Sequence, residues 1–272
     1  MTIPAGARRV RDAFAAADAG GRRAFVAYLM AGHPDEAAAL EACTAALDAG
    51  ADMLEIGVPF SDPVADGPVV AAAGHAAVAS GAGMDTVLRT VAALRARGHA
   101  QPILAMGYLN PIVARGAERT LRQLADAGVD ALILPDLPAG EDRQLERLVS
   151  REGLGIVFLV TPNSTDARLE AAIRASTAFL YVVPLYGVTG ARERVAETTA
   201  PLLERIRARV AGRLPVAVGF GVSRPQHVRA LGAVADGIIV GSAIVAALDQ
   251  GGPQRVGSLV AELSGATELQ PA

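Results

Sequence analysis

The chain is predicted to fold as one α/β domain over residues 1–272, a (β/α)8 TIM barrel with an extra N-terminal helix over residues 1–20. Three observations carry the prediction. Eight short apolar runs alternate with amphipathic stretches at a spacing of roughly 25–30 residues. No Gly-x-Gly-x-x-Gly turn follows the first run, which removes the main support for an open dinucleotide-binding sheet. No linker, low-complexity segment or charge block divides the 272 residues, a length that suits one barrel.

The elements follow in order. Residues 7–19 have a helical pattern with Val10 and Phe14 on one face, placed to cover a barrel end. The strand candidates are 25–30, 53–56, 103–106, 131–134, 155–160, 179–183, 216–220 and 237–240. Helical stretches between them include 36–49, 84–97, 121–127, 145–151, 166–175 and 199–211. Gly50, Gly98 and Gly128 stand where a helix must stop before the next strand. The tail from Thr267 is expected to fray.

Composition narrows the chemistry. All 25 basic residues are arginine. Without a lysine amine, neither a Schiff-base mechanism nor covalently held pyridoxal phosphate is available to this chain. The four histidines (His33, His75, His99 and His227) are scattered, with none at metal-ligand spacing, so no metal is expected. The single Cys43, flanked at helical spacing by Leu40 and Leu47, reads as a packed core thiol and excludes an internal disulfide. A net charge of −3 without a long basic patch argues against nucleic acid. No apolar run approaches the ~20 residues of a membrane span, and Met1 to Arg23 has no apolar secretory region, so a cytoplasmic location is expected.

In a barrel of this kind, chemistry gathers where strands run into their following loops. Residues 54–68 form such a stretch: Glu55 lies inside an apolar strand, and Asp66 follows in a loop long enough to fold back and face it. A buried carboxyl needs a reason, and two carboxyls at a strand end suit acid–base chemistry. Taken singly, Glu55 reads about equally well as a structural carboxylate, and Asp66 before Gly67 reads better as a turn residue. Asp62 suits a turn or an interface, and Asp136 a hydrogen-bond anchor between loops. Glycines at the ends of strands six, seven and eight (Gly190, Gly219 with Gly221, and Gly241 followed by Ser242) favour a phosphate held by backbone amides.

Residues 54–68 closely resemble the signature of the tryptophan synthase alpha subunit. The motifs Gly187-Val188-Thr189-Gly190, Val218-Gly219-Phe220-Gly221 and Gly241-Ser242-Ala243-Ile244-Val245 match the same family in order and spacing, and the resemblance spans residues 14–263. It implies a TIM barrel that cleaves indole-3-glycerol phosphate to indole and glyceraldehyde 3-phosphate, with no cofactor of its own. The partner it implies is a beta subunit that carries pyridoxal phosphate and receives the indole, in an α2β2 complex. By position, Glu55 and Asp66 resemble the catalytic carboxylates, and Gly190, Gly221, Gly241 and Ser242 the phosphate contacts. Tyr28, Met106, Ile133, Tyr181, Phe220 and Ile239 fall where the family lines its indole pocket. Thr189 resembles the threonine of a loop that closes over Asp66. Pro59, Asp62 and Asn110 fall where the family meets its beta subunit. The chain departs from the common pattern at His33 and at Pro184-Leu185-Tyr186, where the proline is expected to stiffen the loop entrance. The alternatives are a free-standing lyase with the same residues and a weakly catalytic subunit that activates a partner.

Overall fold

The computed structural model describes residues 3–184, 195–219 and 221–269. Eight parallel strands close into a barrel in sequence order: β1 (Ala24–Met30), β2 (Met53–Gly57), β3 (Ile103–Met106), β4 (Ala131–Ile133), β5 (Gly155–Val160), β6 (Leu180–Val182), β7 (Val216–Gly219) and β8 (Gly237–Val240). The expected strands all form, with ends shifted by a residue at most where both can be compared. The outer ring comprises α2 (Glu36–Asp48), α3 (Pro68–Ala79), α4 (Met84–Ala96), α5 (Leu109–Ala114), α6 (Ala117–Ala127), α7 (Arg143–Arg151), α8 (Asp166–Ala175), α9 (Val195–Val210), α10 (Pro225–Gly232) and α11 (Ser242–Gly265). The glycines at 50, 98 and 128 take left-handed φ values of 100°, 90° and 102°, the conformation that ends a helix at least cost without a Cβ.

In the short helix α5, Pro111 sits in the first turn, where its missing N–H costs no hydrogen bond.

Period-2 alternation decides what each strand shows to the barrel interior. On β1, Phe25, Ala27 and Leu29 face the helices, whereas Val26 and Tyr28 face inward. On β2, Leu54 and Ile56 face outward, so Glu55 between them points into the barrel. Val26, Met53, Leu104, Ala131, Val157 and Ala217 fill the lower interior and are almost wholly buried. The barrel is thus solid at the bottom and open at the top.

Helix α1 (Ala5–Ala19) plugs the bottom with one face: Gly6, Ala7, Val10, Phe14 and Ala17 are buried at spacings of three and four. Phe14 meets Phe179 with ring centroids 5.4 Å apart, and a side chain at Gly237 would strike it. Polar contacts hold the same seam. Arg9 and Arg95 both pair with Asp130, at 2.6 and 2.7 Å, and Arg11 donates to the Thr177 carbonyl.

The start of the tail is also pinned, contrary to the expected fraying. Glu268 bridges antiparallel to Arg22, Arg23 N–H donates to the Thr267 carbonyl, and Leu269 N–H donates to that of Gly21. These bonds tie residues 267–269 to the run-in of β1, and Thr267 is 2% exposed.

Candidate active site

A cavity of about 600 Å³ opens at the C-terminal mouth of the barrel, where the loops after the strands meet. Glu55 forms part of its floor. It is 1% exposed, and its Oε2 has no hydrogen-bond partner within the described residues. Across the register, Glu55 lies beside Tyr28 of β1. Burial first, and the nearby Asp66 charge second, push its pKa from 4.5 to about 8.

Asp66 comes down from the β2–α3 loop to line the same cavity. Its position depends on how that loop ends. Asp66 N–H donates to the Pro63 carbonyl, Gly67 is the extended N-cap of α3, and Pro68 starts the helix with φ already set for it. Gly67 lacks the positive φ that a left-handed Asp-Gly turn would need. Burial raises the Asp66 pKa to about 6, against an opposing hydrogen bond with Tyr108. The two carboxyls therefore differ near neutrality: Glu55 holds its proton and Asp66 is ionised.

Tyr28, Met106, Tyr181 and Ile239 line the cavity. Ile133 does not. It is fully buried in the barrel interior, beside Met106 across the register. Leu134 and Pro135 reach the cavity instead, and Leu159 of β5 completes that side.

Gly221, Gly241 and Ser242 lie together on another part of the wall. Gly221 has φ +69° and, among the described residues, open space where a Cβ would be, which leaves its backbone free for close approach. Gly241 caps α11, whose first turn leaves N–H groups free and aligned with the helix dipole. Gly219 has a different reason to be glycine: a Cβ would collide with the Tyr181 hydroxyl and Ile239. Gly57 makes room for the Tyr28 hydroxyl in the same way. Gly190, Thr189 and Phe220 lie outside the described residues.

Pro59 is buried, whereas Asp62 and Asn110 are exposed. The last two lie on neighbouring segments, since Phe60 of the β2–α3 loop stacks on Tyr108, which precedes α5, at 5.2 Å. Val64 and Val113 on those segments are 85% and 54% exposed. Asp136 anchors loops as expected, accepting the Leu109 N–H at 3.0 and 3.1 Å. Cys43 is a buried core thiol, its pKa pushed by burial to about 12. His33 faces Asp249 at 2.7 Å, away from the carboxyl pair's cavity.

Two features of the site were not anticipated. Tyr108 touches Asp66, and its signal was an aromatic directly after a strand-end glycine. Thr161, Ser164 and Arg168 after β5 extend the cavity wall, but their sequence pattern reads only as a helix cap. Among the described residues no group of three or more His, Cys, Asp or Glu is placed to hold a metal ion, and no helix is long and apolar enough to cross a membrane.

A carboxyl pair under a glycine-rich rim at a barrel mouth is an arrangement many sugar-phosphate enzymes share, so geometry alone leaves the family open. Residues 14–269 match the family model of the tryptophan synthase alpha chain. The chain belongs to the tryptophan synthase alpha chain family. It is 43% identical over 245 residues to the tryptophan synthase alpha chain of Roseiflexus sp. (strain RS-1), covering 90% of this chain and 93% of the relative. It is 43% identical over 237 residues to that of Phenylobacterium zucineum, covering 87% and 85%. Among solved structures it resembles a tryptophan synthase chain of Mycobacterium tuberculosis with a TM-score of 0.89 at 37% identity, covering 96% and 99%. It resembles the alpha subunit of Legionella pneumophila str. Paris with a TM-score of 0.86 at 30% identity, covering 95% and 98%. As a tryptophan synthase alpha chain it is a carbon–carbon lyase of L-tryptophan biosynthesis that cleaves indole-3-glycerol phosphate, and the family name implies a beta-subunit partner.

Proposed function

We infer that this chain performs the cleavage with Glu55 as proton donor and shuttle and Asp66 as the ionised acceptor. The observation that carries the assignment is the placement of two carboxyls on one cavity, Glu55 buried in its floor and Asp66 on the loop above it, with burial raising the pKa of both and that of Glu55 more.

The reaction is a retro-aldol. Glu55 gives its proton to C3 of the indole ring, and the Asp66 carboxylate accepts a hydrogen bond from the ring N–H and stabilises the positive charge that develops there. The resulting Glu55 carboxylate then takes the proton of the glyceryl hydroxyl beside the C3 bond. That carbon–carbon bond breaks, its electrons return to the ring, and indole and glyceraldehyde 3-phosphate leave with Glu55 protonated again. No proton is gained or lost over the cycle. Tyr28, Met106, Tyr181 and Ile239 pack on the indole, while Gly221, Gly241 and Ser242 hold the phosphate. Ile133, fully buried beside Met106, does not reach the substrate. Gly190, Thr189 and Phe220, outside the described residues, are assigned to phosphate, loop closure and pocket by family position alone.

The residues 1–272 act as one catalytic domain in the cytoplasm, with no cofactor of their own. Pro59, Asp62 and Asn110 meet the beta subunit in an α2β2 complex, and pyridoxal phosphate belongs to that partner. The exposed Val64 and Val113 beside Asp62 and Asn110 support a docking face there.

Steady-state cleavage of indole-3-glycerol phosphate by the chain, alone and with its beta subunit, tests the assignment. Activity should rise with the partner and fall at least a hundredfold in both Glu55→Gln and Asp66→Asn. Near-wild-type turnover in either variant rejects that residue's role.

A further inference from the structure

Asp66 sits on an exposed loop, yet the reaction needs its carboxylate held in one place. The loop is gripped by Tyr108, which precedes α5 and is 4% exposed. The Tyr108 ring stacks on Phe60 near the start of the loop. Its phenol oxygen accepts the Ala65 N–H at 2.9 Å near the end of it. A phenol has one hydrogen. With Ala65 donating into the oxygen, the O–H is left to turn toward Asp66, the next residue, whose charged form it favours.

Tyr108 is itself braced on both sides. Gly107 N–H donates to the Ile133 carbonyl at 3.1 Å, and the Asp136 carboxylate takes the Leu109 N–H. Gly107 also lets this segment press on β2's end, since a Cβ there would lie 2.8 Å from Val58. Burial raises the Tyr108 pKa to about 12, so the phenol keeps its proton at any working pH. Ala65 and Asp66 line the cavity, whereas Tyr108 stands behind them.

We propose that Tyr108 is the positioning residue for Asp66: its ring clamps the β2–α3 loop and its hydroxyl aims the Asp66 carboxylate into the cavity. This rests on the role given to Asp66 above. Because Tyr108 acts from behind, its loss should slow turnover and leave substrate affinity nearly untouched.

The test uses the full chain carrying Tyr108→Phe, which keeps the ring and removes the hydroxyl, with Asp66→Asn and the double variant. Tyr108→Phe should lower kcat about tenfold or more, as expected for one hydrogen bond to a charged group, with KM changed less than about twofold. It should move the acidic limb of the pH–rate profile upward, because a bond favouring the carboxylate is gone. On the Asp66→Asn background it should cost nothing further. An unchanged kcat in Tyr108→Phe, or an equal loss on both backgrounds, overturns the proposal. Titration of the Asp66 carboxyl by 13C NMR separates it from the catalytic assignment. If Asp66→Asn retains full turnover, the catalytic role falls, and a raised Asp66 titration in Tyr108→Phe still supports the positioning. A titration unaltered by Tyr108→Phe rejects the positioning whatever the turnover.

Discussion

Glu55 occupies an inward strand position that packing alone would give to Val or Leu, and its burial has consequences for pH. The proposed roles need Glu55 protonated and Asp66 ionised, so kcat/KM should follow a bell with apparent limits near 6 and 8. Asp66→Asn should remove the acidic limb from whatever activity remains; a profile flat from pH 5 to 9 contradicts both shifts. The same burial acts on stability. In the unfolded chain Glu55 ionises near 4.5, whereas folded it holds its proton to about 8. The unfolded state therefore binds fewer protons between these values, and stability falls as pH rises through that window, then levels. Asp66 acts in the same direction from 3.8 to about 6. Glu55→Gln removes the larger effect. Urea unfolding at pH 5, 6.5 and 8 should show the variant gaining on the wild type by up to a few kcal/mol, with the gap widening toward pH 8. A constant gap would mean that Glu55 titrates normally.

Among the elements, the barrel bottom repeats one device. The Asp before each of β2, β4 and β8 accepts the N–H of the preceding strand and pairs with arginine. Asp52 takes Phe25 N–H and a two-pronged Arg22, Asp130 takes Ile103 N–H with Arg9 and Arg95, and Asp236 takes Val216 N–H and Arg207. Before β6 hydroxyls serve instead, Thr177 and Ser176 accepting from Ile156 and Phe158. Asp130 is the most buried of the three carboxylates and holds α1 to the barrel. Asp130→Ala strands Arg95 and a buried N–H, and should cost about 3 kcal/mol. Asp236→Ala, at a more exposed pair, should cost about 1 kcal/mol. Equal losses in denaturant melts would show that the clasp on α1 adds nothing. The sequence carried this device as Gly-Ala-Asp, Gly-Val-Asp and Val-Ala-Asp before three strands, but without pairing partners an Asp in a turn looks like any turn residue. Strands were more legible, because an inward and an outward face both buried leave continuous apolar runs. Helices α3 and α11 were harder: α3 is alanine-rich with little amphipathic contrast, and α11 is interrupted by Gly251-Gly252-Pro253.

On the scale of the whole molecule, the closed barrel separates stability at the bottom from chemistry at the mouth. The tail illustrates it. Deleting residues 267–272 removes the Glu268–Arg22 bridge and the bonds to Arg23 and Gly21, all at the end opposite the cavity. The melting temperature should drop by about 2–6 °C, with kcat and KM for cleavage unchanged; a fall in kcat would show that the two ends are coupled. The chain's own pattern determined the eight alternating units, their strand positions, the acidic pair and the glycines at three strand ends, because hydrophobic period and backbone freedom are local properties that any stretch of sequence displays. Closure of the barrel decided the rest. It set which inward residues meet the cavity, so that Ile133 is fully buried beside Met106 while Leu134 and Pro135 line the wall. It brought Tyr108 onto a loop more than forty positions earlier in the chain, and it buried Glu55 deeply enough to separate its acidity from that of Asp66. Register between neighbouring strands and desolvation are relations among distant segments, and no residue carries them alone.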